Sequence, residues 1–268
     1  MSQYGHRNIP GKMQAIGGTA RTLHTNWLPL RVLVALTLVT QLASVSYTST
    51  QAFSDIFLPS TAALLAVTMP LAASGLWLGS KIGLGTPLLK ALLNRSPDAG
   101  RQLGRDTLLA VSLGLSTGLL LWILRIVSVE FLPPNLPELG HRGAIGGLLV
   151  SISAAIGEEV WLRLGVMTTL AWLIMRTLGQ PVLGPKVAWT AIVTAALGFG
   201  AIHLPQLAAA GAATTIGIAA TMLGNTLVGI VCGWLFWRRG LVAAILAHFS
   251  IDVVLHVLPT LLVPIGDL

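Results

Sequence analysis

The stretch "IGEEVWLRLG" at 156–165 sets Glu158, Glu159 and Arg163 in the middle of an apolar run. Neither 143–157 before it nor 164–175 after it contains Asp, Glu, Lys or Arg. An ionised side chain near a bilayer centre costs roughly 2.5–3.5 kcal/mol on insertion scales, so three of them must be paired, protonated or facing a wet cavity. Glu159 and Arg163 are four apart, share a helix face and suit an ion pair. Glu158 points about 100° away and has no local partner. A structural ion pair accounts for Glu159 and Arg163 but not for Glu158, and a carboxylate in a low-dielectric place suits a general base or acid.

Two further polar points follow. In "GFGAIHLP", Phe199 and His203 are again four apart, with Pro205 ending the helix. In "LAHFSIDVVLH", His248 and Asp252 share a face, where a carboxylate can orient an imidazole. His256 lies one turn further on, toward the outer side, and is read as non-catalytic. A lone histidine at the end of a span is more often an interfacial or packing residue, which is the bland reading of His203. Two carboxylates, two imidazoles and an arginine converging between helices would fit metal-assisted or carboxylate-activated attack of water on a carbonyl. There is no His-Glu-x-x-His, so the spacing is not that of a soluble zincin.

The elements that carry these residues are membrane spans. The chain has 268 residues, 54% hydrophobic and only 9% charged, with a mean hydropathy of +0.81. Residues 32–54, 56–80, 107–124 and 187–237 contain no Asp, Glu, Lys or Arg. Uncharged apolar stretches of about 18 or more residues read as membrane helices. The expected fold class is all-α, a polytopic bundle with spans near 28–48, 57–80, 106–129, 143–175, 187–204, 208–237 and 241–263. The sixth is long and is expected to tilt or break near Gly211 or Gly217, which would leave room for an eighth helix. The segment 82–94 is amphipathic and is expected to lie on the membrane surface. Residues 1–26 are polar and basic for too long to read as a cleavable signal peptide.

The formal charge of +7 does not point to nucleic acid, because Lys and Arg cluster in short connections without aromatic interleaving. They orient the chain instead. Arg7, Lys12 and Arg21 lie in the tail, Lys81, Lys90, Arg95, Arg101 and Arg105 in the second connection, Arg176 and Lys186 at the fourth, and Arg238 with Arg239 at the sixth. The first and fifth connections have no Lys or Arg, and the third, "VEFLPPNLPELGHR", has one Arg against two Glu. The N-terminus is therefore expected in the cytoplasm and the C-terminus outside. Arg31 and Arg125 sit near span ends, where such side chains snorkel. Asn225 suits an interhelical hydrogen bond and the small residues of the later spans suit close helix packing. Cys232, the single cysteine, reads as a packing residue because its apolar run offers no base.

Taken in order, "EEVWLR", "FGAIH" and "HFSID" read Glu-Glu-x-x-x-Arg, Phe-x-x-x-His and His-x-x-x-Asp. This set resembles the CPBP intramembrane protease family, which includes the type II CAAX prenyl proteases and the bacteriocin-processing group, over about 106–263. The resemblance implies that Glu158 activates the attacking water with His203 beside it as water or metal partner. It implies that Glu159 and Arg163 hold the site, and that His248 and Asp252 stabilise the oxyanion. The family's last position is commonly Asn. An ionised Asp252 cannot donate a hydrogen bond and would instead orient His248.

The expected organisation is a cytoplasmic basic tail over 1–27, two spans and a basic connection over 28–105, a catalytic core over 106–263 and a short tail over 264–268. The expected activity is intramembrane endopeptidase cleavage of a membrane-delivered peptide, lipidated or not, in a prokaryotic plasma membrane. A divalent metal such as zinc is an open cofactor, with Glu158, His203 and His248 as candidate ligands. The same buried charges would also serve an ion-coupled transporter or a non-catalytic membrane partner or chaperone. One point sits awkwardly, since the expected boundaries put His203 nearer the outer surface than His248.

Overall fold

A computed structural model describes residues 27–262. The basic residues expected in the N-terminal tail, Arg7, Lys12 and Arg21, and the expected tail 264–268 lie outside the described residues. Every regular element among the described residues is helical: α1 (Trp27–Thr48), α2 (Phe53–Ile82), α3 (Pro87–Leu93), α4 (Ala99–Val127), α5 (Gly143–Thr177), α6 (Pro185–Ile202), α7 (Leu204–Ala209), α8 (Thr215–Arg239) and α9 (Leu241–Leu262). Seven stretches are long and apolar enough to cross a membrane: α1, α2, α4, α5, α6 with α7, α8 and α9. Leu58, Leu108, Val39 and Ile126 are well exposed on the outside. An apolar exterior of this kind suits lipid and not water. The chain is an integral membrane protein.

Close approach of helix backbones builds the bundle, as expected for membrane helices that pack through small residues. A Cβ on Gly75 of α2 would run into the carbonyl of Leu164 on α5. On Gly114 of α4 it would come 2.5 Å from the carbonyl of Ala247 on α9, and on Gly229 of α8 2.6 Å from Cβ of Ala196 on α6. Side chains add cross-links. Gln41 Nε2 of α1 donates to the Ser153 carbonyl on α5 at 2.9 Å, and Trp161 Nε1 of α5 donates to Thr68 Oγ1 on α2 at 2.9 Å. These bonds matter in lipid because no water competes for the groups.

Two sequence expectations change in detail. The sixth span does not run from 208. The chain breaks at Gly211, whose φ of 69° is left-handed, and α8 starts at Thr215, with Thr214 Oγ1 accepting from the Gly217 amide at 3.1 Å. That hydroxyl satisfies one of the free donors of the first turn. The residues before the break form α7, only six residues long, so no eighth span arises. The segment 82–94 does not cross, as expected, and its first half is held against the bundle while Leu92 and Asn94 stay exposed. Leu84, Thr86 and Leu88 are buried. The Leu241 amide donates to the Gly85 carbonyl at 3.1 Å, and a Cβ on Gly240 would meet Pro87 Cδ at 2.7 Å. The α8–α9 turn thus clamps the segment into the core.

The basic connections gather at one end of the bundle. The C-terminus of α2, α3, the N-terminus of α4, the α5–α6 connection and the α8–α9 turn meet there. The connection 128–142, α7 and the N-terminus of α8 lie at the other end.

Candidate active site

Residues Glu159–Met167 of α5 are wound as a π-helix, and so are Val253–Val257 of α9. The wider coil is bonded i to i−5: the Thr168 amide donates to the Arg163 carbonyl, and Thr168 Oγ1 donates to the same carbonyl at 3.0 Å. Such segments are uncommon and concentrate at functional sites. Here one begins at the Glu-Glu pair and the other directly after Asp252.

The π segment separates the two glutamates. Glu159 is completely buried. Its Oε1 accepts from Nδ1 of His248 at 2.8 Å, and its Oε2 lies 3.3 Å from Nε of Arg163. Arg163 is itself buried and stacks its guanidinium 4.9 Å above the ring of Phe199, a favourable position for a cation over an aromatic face. This buried set ties α5, α6 and α9 together. Glu158, in contrast, keeps 21% of its side chain exposed and faces a cavity of about 670 Å³.

His248 joins the two environments. A carboxylate can only accept, so Nδ1 of His248 carries the proton shared with Glu159, and Nε2 is the nitrogen left for the cavity side. Glu158 Oε2 and Asp252 Oδ2 each lie 3.7 Å from that Nε2. Phe199 packs edge-on to both histidines, with ring centroids 4.8 Å from His203 and 5.9 Å from His248. Nδ1 of His203 donates to the Phe199 carbonyl at 2.8 Å, which leaves its Nε2 for a ligand. Glu158, His203, His248 and Asp252 all line the one cavity.

The six side chains singled out by spacing therefore come together. The depth mismatch between His203 and His248 resolves because Phe199 bridges them and His203 sits at the α6–α7 break. One orienting role differs from expectation: it is Glu159 that holds His248 through Nδ1, whereas Asp252 stands on the Nε2 side. Asn225 also departs from its expected interhelical bond. Its Nδ2 donates to the Thr221 carbonyl of its own helix at 2.9 Å, and the residue lines the cavity. Arg125, expected to snorkel, donates from Nη2 to the carbonyls of Leu136 and Pro137, both at 3.3 Å, and so braces the connection that roofs the cavity. Arg142 also lines it. Burial draws the Arg142 pKa down from its ordinary value, and the nearby Asp252 carboxylate opposes this. No spacing rule marked Arg142, because its partner lies 110 positions away in sequence.

Cys232 is packed in the core, as expected, but polar neighbours reach it from other helices. Ligand atoms of Glu159, Cys232 and His248 lie within 4.8 Å of one another, all buried. Of the candidate metal ligands read from the sequence, only His248 belongs to this group. Thiolate, carboxylate and imidazole are the donor types of a zinc site. The surroundings fit a dication poorly, however. His248 Nδ1 is spent on Glu159, and the Arg163 guanidinium lies against Oε2 of the same carboxylate. Both outer guanidinium nitrogens are buried without a hydrogen-bond partner, so a second positive centre there would repel a charge that nothing else offsets.

No curated protein and no solved structure matches the chain. A family model does match, described as type II CAAX prenyl endopeptidase Rce1-like, over residues 140–254. That stretch contains Glu158, Glu159, Arg163, Phe199, His203, His248 and Asp252 and runs from just before α5 into the second π segment. The resemblance carried by the three motifs is thereby borne out on the helices that build the site, and residues 140–254 are similar to the type II CAAX prenyl endopeptidases of the Rce1-like family.

Proposed function

We propose that the protein is an intramembrane endopeptidase in which Glu158 activates water against a peptide carbonyl. The observation that carries this reading is the pair of 3.7 Å approaches of Glu158 and Asp252 to Nε2 of His248, whose other nitrogen is fixed by Glu159. Such an arrangement offers a base, a held imidazole and room for a reacting carbonyl in one apolar-walled cavity. A carboxylate that is only partly exposed and has no Arg or Lys partner is available to take a proton.

In the reaction, Glu158 accepts a proton from water while the water oxygen bonds to the scissile carbonyl carbon. The resulting oxyanion lies beside His248, which donates from Nε2 when it carries a second proton, while Nε2 of His203, on the other side of Phe199, is an acceptor suited to holding the water. Collapse breaks the C–N bond, and the proton held by Glu158 passes to the leaving amine. The products are a carboxylate and a free amine, and no group beyond water is consumed. Glu159 and Arg163 act on His248 and on the helix packing and do not touch substrate. Because the donor set around Cys232 fits a metal poorly, no step is routed through one.

The substrate of this reading is a peptide, lipidated or not, that reaches the cavity from the bilayer in a prokaryotic plasma membrane. The catalytic core would extend beyond 140–254 to include α4, since Leu121, Leu124 and Arg125 wall the cavity. The test is incubation of purified protein with a library of membrane peptides, comparing wild type with His248→Ala. Cleavage by wild type that is lost in a folded His248→Ala variant supports the reading. Ion flux in proteoliposomes without any cleavage would favour a transporter instead.

A further inference from the structure

Resting on that reading, we infer that the cavity opens on the membrane face away from the cytoplasm, so that its peptide substrate is presented from that side. Two observations combine to carry this.

The first is where the mouth lies. The cavity is walled by the C-terminal end of α4, the connection 128–142, the N-terminal half of α5 and the start of α8, with Arg125, Leu136, Arg142 and Ile216 among its lining residues. These segments share one end of the bundle, and helix packing fixes that end independently. Gly114 and Gly118 of α4 approach α9 at Ala247 and Val254 in turn, so α4 and α9 run parallel. Gly147 near the start of α5 meets His256 near the end of α9.

The second is charge. The connections bearing Lys81 to Arg105, Arg176 with Lys186, and Arg238 with Arg239 all lie at the opposite end. Lys and Arg in short connections mark the cytoplasmic side. The two arginines at the mouth do not offset this bias as free loop charges. Arg125 is bound to two backbone carbonyls, and Arg142 is half-buried near Asp252. Glu130 and Glu138 are the acidic residues of the same connection.

The walls say how a substrate enters. Leu124, Ile216 and Leu223 line the cavity from α4 and α8 and keep 41%, 49% and 65% of their surfaces exposed. This wall therefore offers apolar surface to an incoming chain. An apolar stretch beside the substrate peptide would exchange lipid contacts for packing against these side chains, while the adjoining peptide reaches Glu158.

Single cysteines with a membrane-impermeant maleimide test this, and the native Cys232 is fully buried and silent. Glu130→Cys reports the mouth and Ser96→Cys the opposite end, and both positions are exposed. In intact expressing cells Glu130→Cys is expected to label fully, and Ser96→Cys only after permeabilisation. Labelling of Ser96→Cys in intact cells, alone or together with Glu130→Cys, overturns the orientation. The readout needs no turnover, so it stands or falls separately from the protease reading. A tethered-peptide library added to right-side-out vesicles is then expected to be cleaved, and the same library outside inverted vesicles is not. Cleavage confined to inverted vesicles overturns the inference and leaves hydrolysis standing. Cleavage in neither sinks the hydrolytic reading, while the labelling still decides the orientation.

Discussion

Adjacent glutamates with unlike surroundings are the central feature at the scale of residues. Glu159 is sealed between Arg163 and His248, and Glu158 meets the cavity. Removing one member of a buried ion pair strands the other, typically at about 3–5 kcal/mol. Glu159→Ala is therefore expected to lower the thermal midpoint in detergent sharply, and pairing it with Arg163→Leu to recover part of the loss. Equal midpoints for Glu159→Ala and wild type would contradict the pairing. Position 252 gives a second prediction. The resemblance implies Asn there, which can donate to an oxyanion where an ionised Asp cannot. Asp252→Asn is expected to keep cleavage within about tenfold, a barrier change of about 1.4 kcal/mol. Asp252→Leu is expected to lose at least about a hundredfold. Activity kept in Asp252→Leu would remove Asp252 from the site.

Single elements show both what the sequence reveals and where it stops. Helical spacing was enough to pair Glu159 with Arg163 and to put His248 and Asp252 on one face, because i and i+4 neighbours are local. The spans were legible from apolar length, with an uncharged middle in the first three and the site's own charges interrupting the fourth and seventh, since lipid demands such length. The π-helical windings were not legible, because nothing in "EEVWLRLGVM" distinguishes i→i+5 from i→i+4 bonding before its neighbours pack. The neighbours of Cys232 were not legible for a related reason, although its packing role was. Its own helix offers no base, and the partners arrive from α5 and α9. The break at Gly211 was visible only as a choice between two glycines, and the left-handed φ decides it. One prediction belongs here. A Cβ on Gly75 would push against the Leu164 carbonyl inside the π segment. Gly75→Val is expected to destabilise by about 1–3 kcal/mol, in the range of overpacking, and to cost activity although no catalytic group is touched. Unchanged midpoint and turnover would mean that α2 does not brace the winding.

The whole molecule separates a basic end, which anchors topology, from an end where the cavity opens beneath a connection braced by Arg125. Helices α5, α6 and α9 carry the candidate site residues, and α4 and α8 add apolar side chains to the cavity wall. The distribution of Lys and Arg gives an expected orientation, but the position of the mouth needed the fold, because Leu124 and Leu223 are 99 residues apart in sequence and line one cavity only in the bundle. The same scale bears on metal. With Arg163 against Glu159, dialysis against a chelator is expected to leave cleavage unchanged, and Cys232→Ala to carry the same metal content as wild type. Stoichiometric zinc that disappears in Cys232→Ala would show that the buried donor set holds an ion after all.

The most direct measurement is cleavage of a membrane-tethered peptide by wild type and by Glu158→Gln in ¹⁸O-labelled water, with folding of both checked by thermal midpoint. The substitution keeps the size and polarity of Glu158 and removes only its capacity to take a proton. Wild type is expected to place the label in the new C-terminal carboxylate, and the folded variant to lose at least about a thousandfold in rate, the upper part of the range for a lost general base. Comparable cleavage and labelling by the variant would contradict Glu158 as the group that activates water.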